Sequence, residues 1–346
     1  MLIYFLILFF VIFWVWLEEK SLSRRAVFIP ALILVIFFSI RNFTVGTDTI
    51  TYTKFFREGL FYQNYYFNPE LEYGYQLVEY SILHFTNNYF WLFLIFSIVV
   101  VGGYLLTIKK YSTNYILSVF IFITFGMYTF FFNGLRQGVA IAICFFALPF
   151  LLEKKLFKYF IFIFIASLFH VSAWIMFIFY FLVHFKVKLE YKIIAITIFS
   201  SLISGAMIAY LANSNKRYES YGQTDEASGG FLTLAFYLFL GGVIYLLGRR
   251  ERILNYNVKV YEEIFLCGVV LVIPIALLGT DPSGPQRLLN YFLPVLTLLL
   301  PILLNKIKSK LVLPVFFILS MIYFYLLVSR FGEILPYTIN PIFEVF

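Results

Sequence analysis

The chain has 346 residues, 62% of them hydrophobic and only 13% charged, with a mean hydropathy of +0.91 and a net charge of +8. A soluble domain is about half apolar and about a quarter charged, so this composition excludes a cytosolic enzyme, a secreted domain, a nucleic-acid binder and a disordered chain. The chain is predicted to be an integral membrane protein with the lipid bilayer as partner, its excess of Lys and Arg fixing orientation rather than binding nucleic acid.

Apolar runs fall at 2–17, 26–40, 89–108, 115–132, 138–152, 159–184, 192–212, 231–247, 260–279, 291–305 and 311–329. A spanning helix needs about 20 mostly apolar residues, and unbroken runs of this kind exclude a β-barrel, whose strands alternate. The expected fold is all-α, a polytopic helical membrane protein of about 10–12 membrane segments, forming a single domain over residues 1–346. The first run ends in Glu18-Glu19-Lys20 without a basic leader or a small-residue cleavage site, so it reads as a retained helix rather than a signal peptide. Pro274, Pro294, Pro301 and Pro314 are expected to kink the late spans.

The run 159–184 is long for one span and short for two. Folding back at Phe169-His170-Val171 puts 18 of the 26 Lys and Arg on one side, as the positive-inside rule requires. A single crossing would strand the Arg249-to-Lys259 connection on the wrong side. A broken or re-entrant pair, 159–169 and 172–184, is therefore expected, with a tilted single span as the alternative. The outer face then carries the large loop 41–88, the short loop 133–137, the His170 junction, the loops 213–230 and 280–290, and the tail from 330. The 41–88 loop is rich in Phe55, Phe56, Phe61, Tyr62, Tyr65, Tyr66 and Phe67, which suit a membrane interface. Its acids Glu58, Glu70, Glu72 and Glu79 read as solvated surface, and 213–230, with Lys216 and Arg217, as an ordinary exposed loop.

Three arginines on that face sit tight against span ends: Arg41, Arg136 and Arg287. The plain reading is snorkelling, or ion pairing with Asp48 and Asp281. The functional reading is a convergent group that binds a membrane-anchored anion such as a lipid diphosphate, since the guanidinium fork matches phosphate and stays charged. His170 is either a buried histidine satisfied by a carbonyl or a general base for a sugar hydroxyl. Asp48 is a turn cap in Val45-Gly46-Thr47-Asp48-Thr49, or it orients a hydroxyl or an arginine. Cys144 and Cys267 lie in apolar runs and the three histidines are far apart, so neither a disulfide framework nor a metal site is expected.

Taken together, Arg41-Asn42-Phe43-Thr44-Val45-Gly46-Thr47-Asp48-Thr49-x-x-Tyr52, Gly134-Leu135-Arg136-Gln137-x-x-Ala140 and Phe169-His170-x-Ser172-Ala173 resemble the EpsG-like branch of the Wzy-type polysaccharide polymerases. The Lys-rich Glu153–Lys158 stretch and the late Arg287-x-x-x-Tyr291 fit the same pattern. The resemblance runs from about residue 40 to 300. It implies a GT-C-like membrane glycosyltransferase on the outer face of the bacterial cytoplasmic membrane. Such an enzyme joins undecaprenyl-diphosphate-linked oligosaccharide repeat units for O-antigen, capsule or exopolysaccharide. It works without nucleotide sugars, metal or other cofactor, with a flippase and a chain-length regulator as partners. On this reading Arg136 and Arg287, with Arg41, bind the leaving diphosphate, and Gln137, Tyr52 and Tyr291 complete the diphosphate- and sugar-binding surface. His170 takes the acceptor's proton and Asp48 positions the acceptor or an arginine. An O-antigen ligase is the nearest alternative, but ligases place their large outer loop late, whereas here it is early. A lipid-linked oligosaccharide flippase is the other; transporters of that kind show internal repeats and midplane charges, and no repeat is seen.

Overall fold

The structure, a computed structural model, describes residues 1–59, 65–214, 230–278 and 284–343. Phe61, Tyr62, Lys216, Arg217 and Asp281 lie outside the described residues, as does nearly all of the 213–230 loop. In a bilayer the backbone N–H and C=O groups must be satisfied within the protein, and most of the described residues do so in helices. They are α1 (Leu2–Leu22), α2 (Phe28–Ser39), α3 (Thr49–Tyr52), α4 (Lys54–Arg57), α5 (Tyr73–Leu83), α6 (Phe90–Tyr111), α7 (Tyr115–Thr124), α8 (Met127–Phe130) and α9 (Leu135–Phe146). There follow α10 (Leu148–Leu152), α11 (Leu156–Ser167), α12 (Trp174–His184), α13 (Leu189–Ser214), α14 (Gly230–Leu254), α15 (Tyr256–Leu277), α16 (Leu296–Leu304) and α17 (Val312–Arg330). Two 3-10 turns matter to the site, Val171–Ala173 and Pro285–Tyr291.

The all-α polytopic membrane architecture expected from composition is the one found. Among the described residues, six helices (α1, α6, α13, α14, α15 and α17) are long and apolar enough to cross a membrane, and a seventh span results if Pro285–Tyr291 and α16, bent by 56°, count as one. Shorter apolar helices fill the spaces between them. Several runs that read as single spans are interrupted. The run 115–132 breaks at Phe125-Gly126, 138–152 begins earlier, at Leu135, and breaks at Ala147, and 291–305 bends where Pro294 separates turn from helix. Pro274 and Pro301 lie inside α15 and α16, whereas Pro314 sits in the first turn of α17, where no intrahelical donor is lost.

The centre of the molecule is α15: 78% of its apolar window is buried, against 17% for α13 and for α17. It packs against α13, α14, α16 and the Pro285–Tyr291 turn, while α6 gathers α2, α7 and α9 into the other half. Gly268 of α15 lies flat against the Phe292 ring, so closely that a Cβ there would come within 2.0 Å of it. That contact seats the end of the Pro285–Tyr291 turn. In the 159–184 region α11 and α12 run antiparallel, with Tyr159 against Tyr180, Phe160 against Phe177 and Phe164 against Trp174. The chain reverses at 168–173.

At the Lys-rich end of α13–α15 a set of charges is buried. Lys192 Nζ lies 2.8 Å from Glu263 Oε2 with both side chains almost fully covered, and Arg252 holds Glu262 through two nitrogens at 2.6 and 2.7 Å. Lys192 reads in sequence as one more orienting charge. The fold instead uses it to bind α13 to the core helix.

Candidate active site

Three chain segments meet at the other end, and their meeting is built from backbone hydrogen bonds. The tail 332–340 lies along residues 40–47: Gly46 N donates to Glu333 O at 3.0 Å, Thr47 N to Gly332 O at 3.3 Å and Asn42 N to Thr338 O at 2.9 Å. Gly46 (φ +100°) and Gly332 (φ +82°) clamp the Asn133 amide between them, and a Cβ on either would fall within 2.5 Å of it. Only glycine combines that backbone conformation with that closeness. Asn133 Nδ2 donates to Gly332 O at 2.8 Å, and Tyr52 OH donates to Asn133 O at 3.0 Å. The tail, which carries no motif in the sequence, thus fixes both the Asp48 loop and the turn leading to Arg136.

Arg136 falls in the first turn of α9 rather than in the loop expected over 133–137, and its side chain is buried. Its Nη1 lies 2.7 Å from Glu72 Oε2, with each side chain 9% exposed, and its guanidinium faces the rings of Tyr75 and Tyr52 at 5.6 and 5.9 Å. Glu72 Oε1 accepts from Val171 N at 3.4 Å, which brings the His170 segment to the same carboxylate. His170 is half-buried and caps the Val171–Ala173 turn, its Nδ1 2.6 Å from Ser172 Oγ. Ser172 Oγ in turn donates to Tyr291 OH at 3.0 Å. Tyr291 closes the Pro285–Tyr291 turn, and Arg287 sits one turn before it. Gln137 Nε2 donates to Arg287 O at 3.2 Å, and Arg287 Nη1 lies 3.3 Å from Asp48 Oδ2. Asp48, Tyr52, Arg136, Gln137, His170, Arg287 and Tyr291 therefore form one connected set, drawn from positions up to 243 residues apart.

Arg41 is the exception. It is fully buried in a cage of Phe38, Phe93 and Phe132 rings, 3.7, 4.2 and 4.6 Å from its guanidinium, and no diphosphate reaches it there. Its Nη2 donates to Phe132 O at 3.2 Å, the same carbonyl that Thr49 Oγ1 approaches at 3.3 Å. In this fold Arg41 braces the turn that carries Arg136, and the sequence-based expectation that it contacts ligand is corrected accordingly.

Two acids expected at the solvated surface belong to the site. Glu58 and Glu70 are exposed, but Glu72 carries the Arg136 contact and Glu79 is 2% exposed. The reason is α5: its inward face presents Tyr75, Gln76 and Glu79 to the bundle, as i, i+4 spacing dictates. Tyr65 OH donates to Glu79 Oε2 at 2.8 Å and Tyr75 OH to Glu79 Oε1 at 3.1 Å. Burial pushes the Glu79 carboxyl up to about 7, against the opposing pull of the two tyrosines and Arg136. Burial and the Glu79 charge drive the Tyr65 phenol far above its ordinary range, which keeps it a donor. The folded value lies above the unfolded one, so the stability this group contributes is fully present at acid pH and is lost as pH rises to about 7. Glu79→Gln keeps an amide oxygen that accepts from one tyrosine, has no group to ionise, and should remove a pH-dependent loss of about 3 kcal/mol. In detergent, the variant should therefore unfold at a higher temperature than the wild type at pH 8, with the gap closing toward pH 5. An equal gap at both pH values would refute the assignment.

Beside Arg287 opens a cavity of about 420 Å³. Thr47, Asn133, Gln286, Arg287 and Asn290 supply its polar lining, while Phe125, Leu234, Val272, Leu293 and Leu327 form apolar wall. The fold defines a multi-pass helical membrane protein in which the Arg136–Glu72 pair and the His170 turn are tied to the Pro285–Tyr291 turn, whose Arg287 lines the cavity. Over residues 24–339 the chain matches the family model of the EpsG family, and it belongs to that family, which is associated with Wzy-type polymerases of polysaccharide biosynthesis. Comparison with curated proteins and with solved structures gives no match.

Proposed function

We propose that this protein is a polysaccharide polymerase of the bacterial cytoplasmic membrane that joins undecaprenyl-diphosphate-linked oligosaccharide repeat units at the outer face. The observation that carries this reading is the convergence of the Arg136–Glu72 pair, the His170 turn bound to the same carboxylate through Val171 N, and the Arg287 turn held by Gln137, with Arg287 lining a cavity of mixed polar and apolar wall. In the reaction the acceptor sugar's hydroxyl oxygen attacks the anomeric carbon of the donor chain, and the bond from that carbon to the diphosphate oxygen breaks. The leaving diphosphate keeps the electron pair. Arg136 and Arg287 stabilise that charge, a type of interaction that contributes strongly to catalysis when the donors are held in place beforehand. Glu72 and Asp48 hold the two guanidinium groups in register. His170 takes the hydroxyl proton on a ring nitrogen, held in place by its contacts to the Ser172 hydroxyl and backbone.

The test is the glycan phenotype of a deletion strain complemented with the wild-type gene. Single repeat units capped on the normal acceptor in the deletion, and a full ladder on complementation, are the expected results. Long chains stranded on the lipid carrier would identify a ligase instead. Repeats trapped on the cytoplasmic side would identify a transporter.

A further inference from the structure

Resting on that reading, we propose that the cavity beside Arg287 seats the first prenyl units of the lipid carrier, and that the aromatic seam between α14 and α17 is the side door through which they enter from the bilayer. The cavity runs from Arg287 and the tail residue Phe331 along α17 to Tyr323. Phe331, the residue that ends α17, lies eight positions after Tyr323, a depth of about 12 Å at 1.5 Å per residue. Thr47, Asn133, Gln286 and Asn290 accompany Arg287, where the diphosphate would lie, while Leu234, Leu293 and Leu327 give apolar wall for a hydrocarbon and the Tyr237 and Tyr323 hydroxyls, also in the lining, lie 3.1 Å from each other. An anionic head joined to a linear, methyl-bearing apolar chain fits the leucine-lined part better than a sugar does, because a sugar would leave hydroxyls unpaired against leucine.

One wall of the cavity is formed by α14 and α17, of whose apolar windows only 28% and 17% are buried. α14 is backed by α15, and its bond to α17 is made by side chains: Phe236 stacks on Tyr323 at 4.7 Å between ring centroids, and the hydroxyls of Tyr237 and Tyr323 lie 3.1 Å apart. Neighbouring residues on both helices, Phe239 and Ile322, are exposed apolar side chains, as expected for a lipid-facing seam. Swinging these rings aside would connect cavity and bilayer without unwinding a helix.

The experiment uses the full-length protein in nanodiscs and a short polyprenyl diphosphate bearing a photoreactive diazirine on its third isoprene unit, with adducts mapped by mass spectrometry. Adducts should fall on the 233–237 and 323–331 peptides, and unlabelled polyprenyl diphosphate should compete them away. A phosphatidylcholine carrying the same diazirine should not label these peptides; equal labelling would reduce the cavity to an ordinary lipid contact and overturn the proposal. Leu234→Trp and Leu327→Trp, which fill the shaft, should each cut labelling about tenfold in protein that remains monodisperse and thermally stable. Undiminished labelling in both, or adducts confined to α11 and α12, would also overturn it. His170→Ala should label like wild type. Cavity labelling by a protein whose deletion leaves the glycan ladder intact would keep the lipid site and remove the polymerase. A polymerase labelled elsewhere would do the reverse.

Discussion

Arg136→Ala is expected to abolish polymer in the complemented strain while the protein remains in the membrane. Two losses combine. The leaving diphosphate forfeits its buried donor, an effect worth about 10²–10³ in rate for donors of this kind. Glu72, 9% exposed, also loses the cation 2.7 Å away that its position assumes. Arg136→Lys restores charge but not the planar fork, so it should recover Glu72 pairing and thermal stability with little of the activity. Glu72→Gln separates the two effects from the other side: the guanidinium stays while its anchor weakens, and Val171 loses a charged acceptor at the His170 turn. We expect Glu72→Gln to form short chains at a reduced rate, and His170→Ala to form none. Normal chain lengths in Arg136→Ala or His170→Ala cells, with expression matched, would remove that residue from the chemistry.

The second large effect lies at the opposite end. Lys192→Met should destabilise the protein by about 3–5 kcal/mol, because it leaves a carboxylate in the core without its close partner. Glu263 would then face Lys259 alone, at 3.9 Å. The double variant Lys192→Met/Glu263→Leu removes both charges and should recover most of the loss, since replacing a buried ion pair by apolar side chains is often neutral. Thermal unfolding in detergent reads both. If the single and double variants were equally unstable, the damage would come from packing of α13 on α15 rather than from an orphaned charge.

Several contacts of the candidate site join residues that lie close together in the sequence and were legible there. Arg136-Gln137, His170-x-Ser172 and Arg287-x-x-x-Tyr291 each place their side chains within one helical turn, and each proves to be a local unit of the connected set. Asp48 admitted two readings, turn cap or arginine partner, and the 3.3 Å contact with Arg287 supplies the second. Glu72 and Glu79 misled because an acid in a polar, aromatic loop looks the same whether it faces water or a guanidinium 64 residues further on. Only the docking of α5, with Gly74 packed directly on the Leu168 carbonyl, turns that face inward.

By itself the sequence determined that this is a helical membrane protein, because so few charges cannot shield so much hydrocarbon from water and no backbone other than a helix satisfies itself within a long apolar run. It also determined which arginines were costly to place. Which of them is caged by aromatic rings and which is paired with a carboxylate was decided by tertiary structure alone. Arg41 and Arg136 are both span-end arginines in polar surroundings of sequence, yet one is enclosed by three aromatic rings and the other is paired beside the histidine turn. The difference arises where the tail 332–340 and residues 40–47 pair across the chain, and a contact between the two ends of a sequence leaves no local pattern to read.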